Sequence, residues 1–378
     1  MNRIFASLLC LTFTANLFAK DTPTAAASFL KNPQVGKLVF KGAGNLHSAH
    51  YGLLLVGEQG GSIVAIDTGD RGVFKPMKAG AVVTDLGAKV AGALGAKPGG
   101  VKINDLAVNP ETGTIYLTAR RSDGVTAVLT VNAKNKGQVA ALDTDKMKWV
   151  RVKLSEKLKI SRIADLGLAA GRLLAAGQSN DAFRSKIFSL SLPLVHGSSG
   201  EVYSTDTYHV AHGRWETRAP IQSFILTEEA GTPTMVGSFA CTPIAKFPLA
   251  NLEDGAQVKG TSIMELGSGN RPLDMFIYSS NGKQWLVTHT MRFHKPFEYT
   301  PSKYWGVRVD MKHIAAKGEK VTNKNAVRRD KAKAKDPKGV EVIPALHGAL
   351  QVDKFGDQKA ALLREEGGKL NLAIVALP

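Results

Sequence analysis

The most regular feature of the chain is a pair of apolar runs joined by a short polar turn. Residues 103–119 read INDLAVNPETGTIYLTA: a β-prone run, the turn NPETG, then a second apolar run. Such turn residues tolerate the positive φ of tight hairpin connections. Their β-prone flanks of strand length predict a hairpin. The pattern returns at 47–67 (HSAHYGLLLVGEQGGSIVAID), 163–180 (IADLGLAAGRLLAAGQSN), 221–242 (IQSFILTEEAGTPTMVGSFACT), 273–290 (LDMFIYSSNGKQWLVTHT) and 349–378. Several copies run on into a third strand: SIVAID, AVLTVN, KIFSLSL, IAKFPL and WGVRVD. The copies start about 52 to 59 residues apart, except for a last interval of about 75.

A unit of three or four antiparallel strands cannot cover both its faces. Stacking neighbours around an axis buries them. Six copies therefore predict an all-β chain folded as a six-bladed β-propeller over residues 34–378, read as one domain. The segment 34–44, QVGKLVFKGAG, is expected to pair with the last blade and close the ring from the N-terminal side. Seven blades is the alternative, should residues 70–100 hide a degenerate copy. The long last interval contains KGEKVTNKNAVRRDKAKAKDPKG, residues 317–339, with scarcely a large apolar side chain. It reads as an inserted, solvated and mobile loop.

The N-terminus reads MNRIFASLLCLTFTANLFAK, with Arg3 before an apolar run from Ile4 to Phe18 and the small Ala19 after it. That layout predicts a secretory signal peptide over 1–19 and a linker over 20–33. The run is short for a bilayer span of about 20 residues. The expected location is periplasmic or secreted. Removal of the signal leaves Cys241 without a disulfide partner, so stability must come from the core.

The formal net charge of +17 predicts attraction to polyanions. The expected partner is an anionic protein, a glycan or an envelope surface. The candidate docking residues are Lys317, Lys320, Lys324, Arg328, Arg329, Lys331, Lys333, Lys335 and Lys338. The plainer alternative is a charged, solvated loop. Nucleic acid is disfavoured, because no aromatic platform is interleaved with the basic residues.

Propellers commonly place their sites at a mouth of the central channel, on loops beside the inner strands. On that topology the ligand-binding candidates are His50, Asp105, Asp165, Asn180, His212, Arg218, Arg271, Asp274 and His294. Two His-x-x-His spans, HSAH and HVAH, add a metal candidate made from His47, His50, His209, His212 and His294, since imidazole suits zinc and copper. Residues three apart on one strand face opposite sides, so each pair shares an ion only across a turn. The cofactor stays open, with a divalent metal ion as the candidate and scattered hydrogen-bonding histidines as the alternative. In HGRWETRAP, alternation sets Arg214, Glu216 and Arg218 on one face and Trp215 on the other. That favours an ion-pair lattice or an arginine clamp for a carboxylate or sulfate. The chain has no C-x-x-C-H, P-loop, H-E-x-x-H or G-x-S-x-G motif, which leaves catalytic residues unassigned.

The stretch DLAVNPETGTIYLT resembles the inner hairpin of gluconolactonase, NHL and YVTN propellers. GQSNDAF, HGRWETRAP, CTPIAKFP, GNRPLDM and the terminal LNLAIVALP, in this order, resemble a family of exported bacterial β-propeller proteins to which no activity is attached. The gluconolactonase likeness ends with the hairpin. Glu58 follows the second strand of its copy instead of opening the first, so the metal ligands of those enzymes are not carried over. The function expected is an exported propeller that binds an anionic partner or ligand. The alternative is an enzyme with a channel-mouth site, either a divalent-metal hydrolase or lactonase, or a copper- or quinone-linked oxidoreductase.

Overall fold

The computed structural model describes residues 26–378 except 135–136, 156, 182–183, 241–242, 267–269, 293–303, 315–322, 324–325 and 329–337. Six sheets, antiparallel except for one parallel edge strand in each of two, surround a central channel as a six-bladed β-propeller. The inner strands, in chain order, are Ala43–Ser48, Val101–Val108, Ile160–Ala169, Ile221–Glu229, Asn270–Ser280 and Ala349–Lys354. They define blades 1 to 6. The third-strand runs read from the sequence all occupy third strands: Ser62–Asp67, Thr126–Val131, Ser185–Ser191, Pro243–Pro248 and Tyr304–Asp310. One α-helix, Leu86–Ala93, is described; it buries Leu86 and Val90 against Leu117 and Leu372 of blades 2 and 6. Among the described residues no helix is long and apolar enough to cross a membrane.

Period-two alternation explains why the middle strands are apolar throughout. In blade 1, Leu55, Ile63 and Ala65 pack toward Ile163, Leu173 and Phe188 of blade 3. The intervening Leu54, Val56 and Val64 pack toward Ala107, Tyr116 and Val128 of blade 2. Both faces of the sheet are interior, so Leu53–Glu58 is buried at every position. Full burial of each such Leu, Ile or Val is worth about 1.5–3 kcal/mol.

The same packing places blade 1 between blades 2 and 3, out of chain order. Hydrogen bonds across each blade boundary give the ring 2-1-3-4-5-6. Leu46 N–H donates to Asp105, Asn45 Nδ2 to the Ala164 carbonyl, and Phe224 N–H to Asp165. Arg271 Nε donates to Gln222 Oε1, Val352 N–H to Asp274, and Val108 N–H to Asp353. Two blades are therefore composite. The chain lays down three strands of blade 1, then crosses to the far edge of blade 6, where Gly80–Val83 pairs with Lys369–Ala376. It next builds blade 2, and returns as Met147–Lys153 to complete blade 1.

The ring is thus closed from the N-terminal side, but not by residues 34–44. Gln34–Gly36 pairs instead with Met147–Lys153 at the rim of blade 1, and Ala43 already belongs to the inner strand. The stretch 70–100 makes no seventh blade; it holds the closing strand of blade 6 and the helix. The basic insertion is corrected in one part. Val327–Arg328 pairs in parallel with Thr261–Glu265 at the edge of blade 4, and Asn323 Oδ1 accepts a hydrogen bond from Ser262 N–H at 2.8 Å. The expected signal peptide over 1–19, Cys241, His294, Lys317, Lys320, Lys324, Arg329, Lys331, Lys333 and Lys335 lie outside the described residues, as does the Arg328 side chain.

Candidate functional site

Each inner strand carries a register shift near its start. The shifts fall between Ala43 and Leu46, Ile103 and Asp105, Ile163 and Asp165, Ile221 and Ser223, Pro272 and Asp274, and Ala349 and Gln351. Such a bulge re-aims a side chain. Here the position following it, or within it in blade 1, forms a belt. In ring order its members are Asp105, Asn45, Asp165, Ser223, Asp274 and Gln351. Carboxylates occupy alternate blades and amides or a hydroxyl the others.

The belt is a set of stitches. Asp105 Oδ2 accepts Leu46 N–H at 2.7 Å, and Asp274 Oδ2 accepts Val352 N–H at 2.9 Å. Asp165 Oδ2 accepts Phe224 N–H at 2.9 Å and the Ser223 hydroxyl at 2.7 Å. With its amide oriented to donate, Gln351 reaches Asp105 Oδ1 at 2.9 Å and Asp274 Oδ2 at 3.2 Å. Burial, opposed by the main-chain hydrogen bonds, pushes Asp165 and Asp353 up to about 6. Burial and the neighbouring carboxylates push Asp105 and Asp274 up as well.

Below the belt, toward the face where the inner strands end, the channel opens into a cavity of about 610 Å³ that all six blades line. His47 and His50 stand on its wall. Burial, and to a lesser degree His50, pushes His47 down to about 4. His50 is exposed and lies 3.5 Å from Glu111. The buried His289 lies 3.4 Å from Asp274 and is likewise pushed down to about 4 by burial.

Above the belt, at the face where the inner strands begin, the lining turns basic apart from Glu58, which Arg151 pairs. Lys102, Arg120 and Arg162 border one cleft of about 350 Å³ between blades 2, 1 and 3. Lys102 and Arg120 are cross-strand partners. Arg162 stands within electrostatic reach of Arg271 and of the three belt aspartates, which puts it over the channel although much of its surface is exposed. Arg271 is braced by Gln222 Oε1 at 2.9 Å. No described acidic side chain forms an ion pair with any of these four cations.

The structure therefore gathers Asp105, Asp165, Asp274 and Arg271 around one axis, with His47 and His50 at its other end. It does not gather the rest. Asn180 and Arg218 are exposed, on connections off the middle and outer strands of blade 3. The two His-x-x-His pairs lie on different blades and do not share a centre. His209 ends the outer strand of blade 3, and His212 lies on the turn to the short strand Arg214–Glu216. Their rings come within 3.9 Å, centroid to centroid. His212 Nδ1 lies 3.0 Å from Glu216 Oε1, and this hydrogen bond leads in holding Glu216 below its ordinary range. Arg214 Nε donates to the same oxygen at 3.1 Å, while Trp215 packs edge-on against Tyr208 on the opposite face. Lys338 offers its carbonyl to His313 Nε2 at 2.9 Å. The sequence reading missed Arg162, Lys102, Gln351, Ser223 and Asn45. Superposing the copies at their bulges would have found the last three, since they occupy the position of Asp105.

No family model matches the chain, and no curated protein is significantly similar to it in sequence. Among solved structures it is similar to the PQQ domain of pyranose dehydrogenase from Coprinopsis cinerea, in its holo form. The identity is 10%, the TM-score 0.41, and the match covers 91% of this chain and 97% of that one. It is also similar to the Swd1 β-propeller domain from Myceliophteria thermophila, at 10% identity and a TM-score of 0.33, over 88% of this chain and 84% of that one. At this distance no residue, ligand or activity is carried across.

Proposed function

We propose that the protein is a binding propeller whose upper channel mouth holds an anionic ligand. The observation that supports this reading is the convergence of Lys102, Arg120, Arg162 and Arg271, from three blades, none of them in a close ion pair with a described acid. Guanidinium groups present paired N–H donors that match the geometry of a carboxylate, sulfate or phosphate. The net charge of +17 draws such a ligand toward the particle. The aspartates beneath are already satisfied by main-chain and amide donors, so they act as the floor of the site. Titration with a fluorescent sulfated oligosaccharide tests the reading. Arg162→Ala and Arg271→Ala should each weaken binding, and the double variant should abolish it. Unchanged affinity in the double variant would refute it.

A second reading, catalysis at the same mouth, is favoured by one observation. Asp105 and Asp274 flank the Gln351 amide, and both are pushed up by burial and neighbouring carboxylates. Asp105, pushed up to about 7, can hold or release a proton near neutral pH.

A further inference from the structure

We infer that His209, His212 and Glu216 form a binding site for a zinc-class divalent transition metal, separate from the channel. One ligand atom from each of the three lies within 4.8 Å of the others. Ligands spaced 2.0–2.2 Å from a zinc ion stand roughly 3–3.5 Å apart, so small side-chain adjustments close the set. Two imidazoles and one carboxylate are a donor set that suits zinc and, by the Irving–Williams order, binds copper more tightly.

The site is assembled by a turn. His209 and Arg214 are register partners in the hairpin, and Gly213 takes a φ of 67° to reverse the chain between them. Glu265, on the outer strand of blade 4, fastens this turn from the neighbouring sheet. Its carboxylate accepts the Val210 N–H at 2.5 Å and the Ala211 N–H at 3.2 Å, and lies 3.6 Å from His209 Nε2. A carboxylate facing one nitrogen of a ligating histidine fixes the ring and raises its basicity. Glu265 is thus a positioning residue.

The two histidines differ in burial. His209 is 5% exposed, whereas the His212 side chain is 49% exposed. Three protein ligands with an open side leave a coordination position for water or an anionic ligand atom. Arg214 shares the Glu216 oxygen, but its side chain is 71% exposed and is free to swing out when a cation arrives.

The test uses the untagged chain, stripped with chelator and titrated with Co²⁺ and then Zn²⁺. The expected result is one Co²⁺ per chain with intense visible ligand-field bands, displaced by Zn²⁺. His212→Ala and Glu216→Gln should each weaken Co²⁺ binding at least tenfold, and Glu265→Gln should weaken it less. His212 and Glu216 are exposed or half-buried, so those two variants should keep the native melting temperature even if a change at the buried His209 prevents folding. Binding that His212→Ala and Glu216→Gln leave unchanged, or native protein that takes up no Co²⁺ or Zn²⁺ at micromolar concentration, overturns the inference. Oligosaccharide binding at the channel mouth should be the same in these variants as in the native chain, so the two sites fail or stand separately.

Discussion

The Asp105 carboxylate accepts the Leu46 main-chain N–H at 2.7 Å, joining two inner strands between which the chain has travelled to the far edge of a third blade. The bond is one of three equivalent stitches, at Asp105, Asp165 and Asp274, that run in the same sense around the ring. Asp105 is buried and Asp165 and Asp274 are half-buried; burial pushes all three up, and each carries a pH dependence with it.

Asp105 holds its proton more tightly in the folded chain than in the unfolded one, chiefly because of burial. Folding therefore takes up a proton, and this group's contribution to stability falls as pH rises above the ordinary carboxylate range. Asp105→Asn removes the ionisation, while its side-chain oxygen can still accept the Leu46 N–H. His47 and His289, pushed down to about 4, act with the opposite sign, but both proteins carry them and they drop out of the comparison. The melting temperature of the variant minus that of the native chain should grow from about pH 4 to about pH 7. A difference that is flat with pH would show that Asp105 titrates normally.

Arg151 and Glu58 lock the composite blade. Arg151, on the returning strand, donates from Nε to Glu58 Oε2 at 2.8 Å and from Nη2 to Oε1 at 3.1 Å, and also reaches the Val39 carbonyl at 2.8 Å. The Glu58 side chain has no exposure. Its Oε1 also accepts Lys41 N–H at 2.7 Å. Arg151→Met should cost about 3–5 kcal/mol in urea unfolding, because it strands a buried carboxylate. Adding Glu58→Gln should recover part of that loss. If the double variant is no more stable than Arg151→Met alone, the cost comes from lost packing and not from the charge.

Gly177 lies mid-strand in blade 3, where an added Cβ would stand 2.6 Å from Phe188 Cε2. Phe188 is fully buried and cannot retreat without disturbing its neighbours. Gly177→Ala should destabilise the chain by about 1–3 kcal/mol, read from the urea midpoint at constant slope. A neutral outcome would mean that this blade face repacks freely.

The blades were legible in the sequence because sheets buried on both faces write unbroken apolar runs, such as Leu53–Val56 and Leu173–Ala176. Their order was not. The closing strand Gly80–Val83 is four residues long and mostly exposed, so it carries no periodic signal. Met147–Lys153 does alternate, with Val150 and Val152 inward, but alternation names no partner. A fourth strand pairs through its main chain, and main-chain bonds leave no mark on side-chain choice. At the channel, Asp105, Asp165 and Asp274 were legible from the repeat phase. Arg162 was one cation among many until the ring brought it over the axis. The His209–His212 pairing needed the turn that Gly213 makes, and its brace, Glu265, comes from a strand of the next blade.

The cationic mouth yields the last prediction. Ligand binding there should weaken steeply with salt, because the Debye length shrinks from about 30 Å at 0.01 M to about 3 Å at 1 M. Loss of either guanidinium should cost about 1.5–3 kcal/mol, which is roughly tenfold or more in Kd. Gln222→Leu should have a smaller effect, since it removes the brace on Arg271 Nε and local bonds to the Pro220 and Ile221 carbonyls but leaves both guanidinium groups in place. Deleting residues 317–338 separates the mouth from the basic insertion as the seat of binding. If the mouth holds the ligand, the deletion changes the association rate and the salt slope but leaves the Arg162→Ala penalty intact. If the deletion abolishes binding and Arg162→Ala does nothing, the ligand sits on the insertion and the mouth is a by-product of ring geometry.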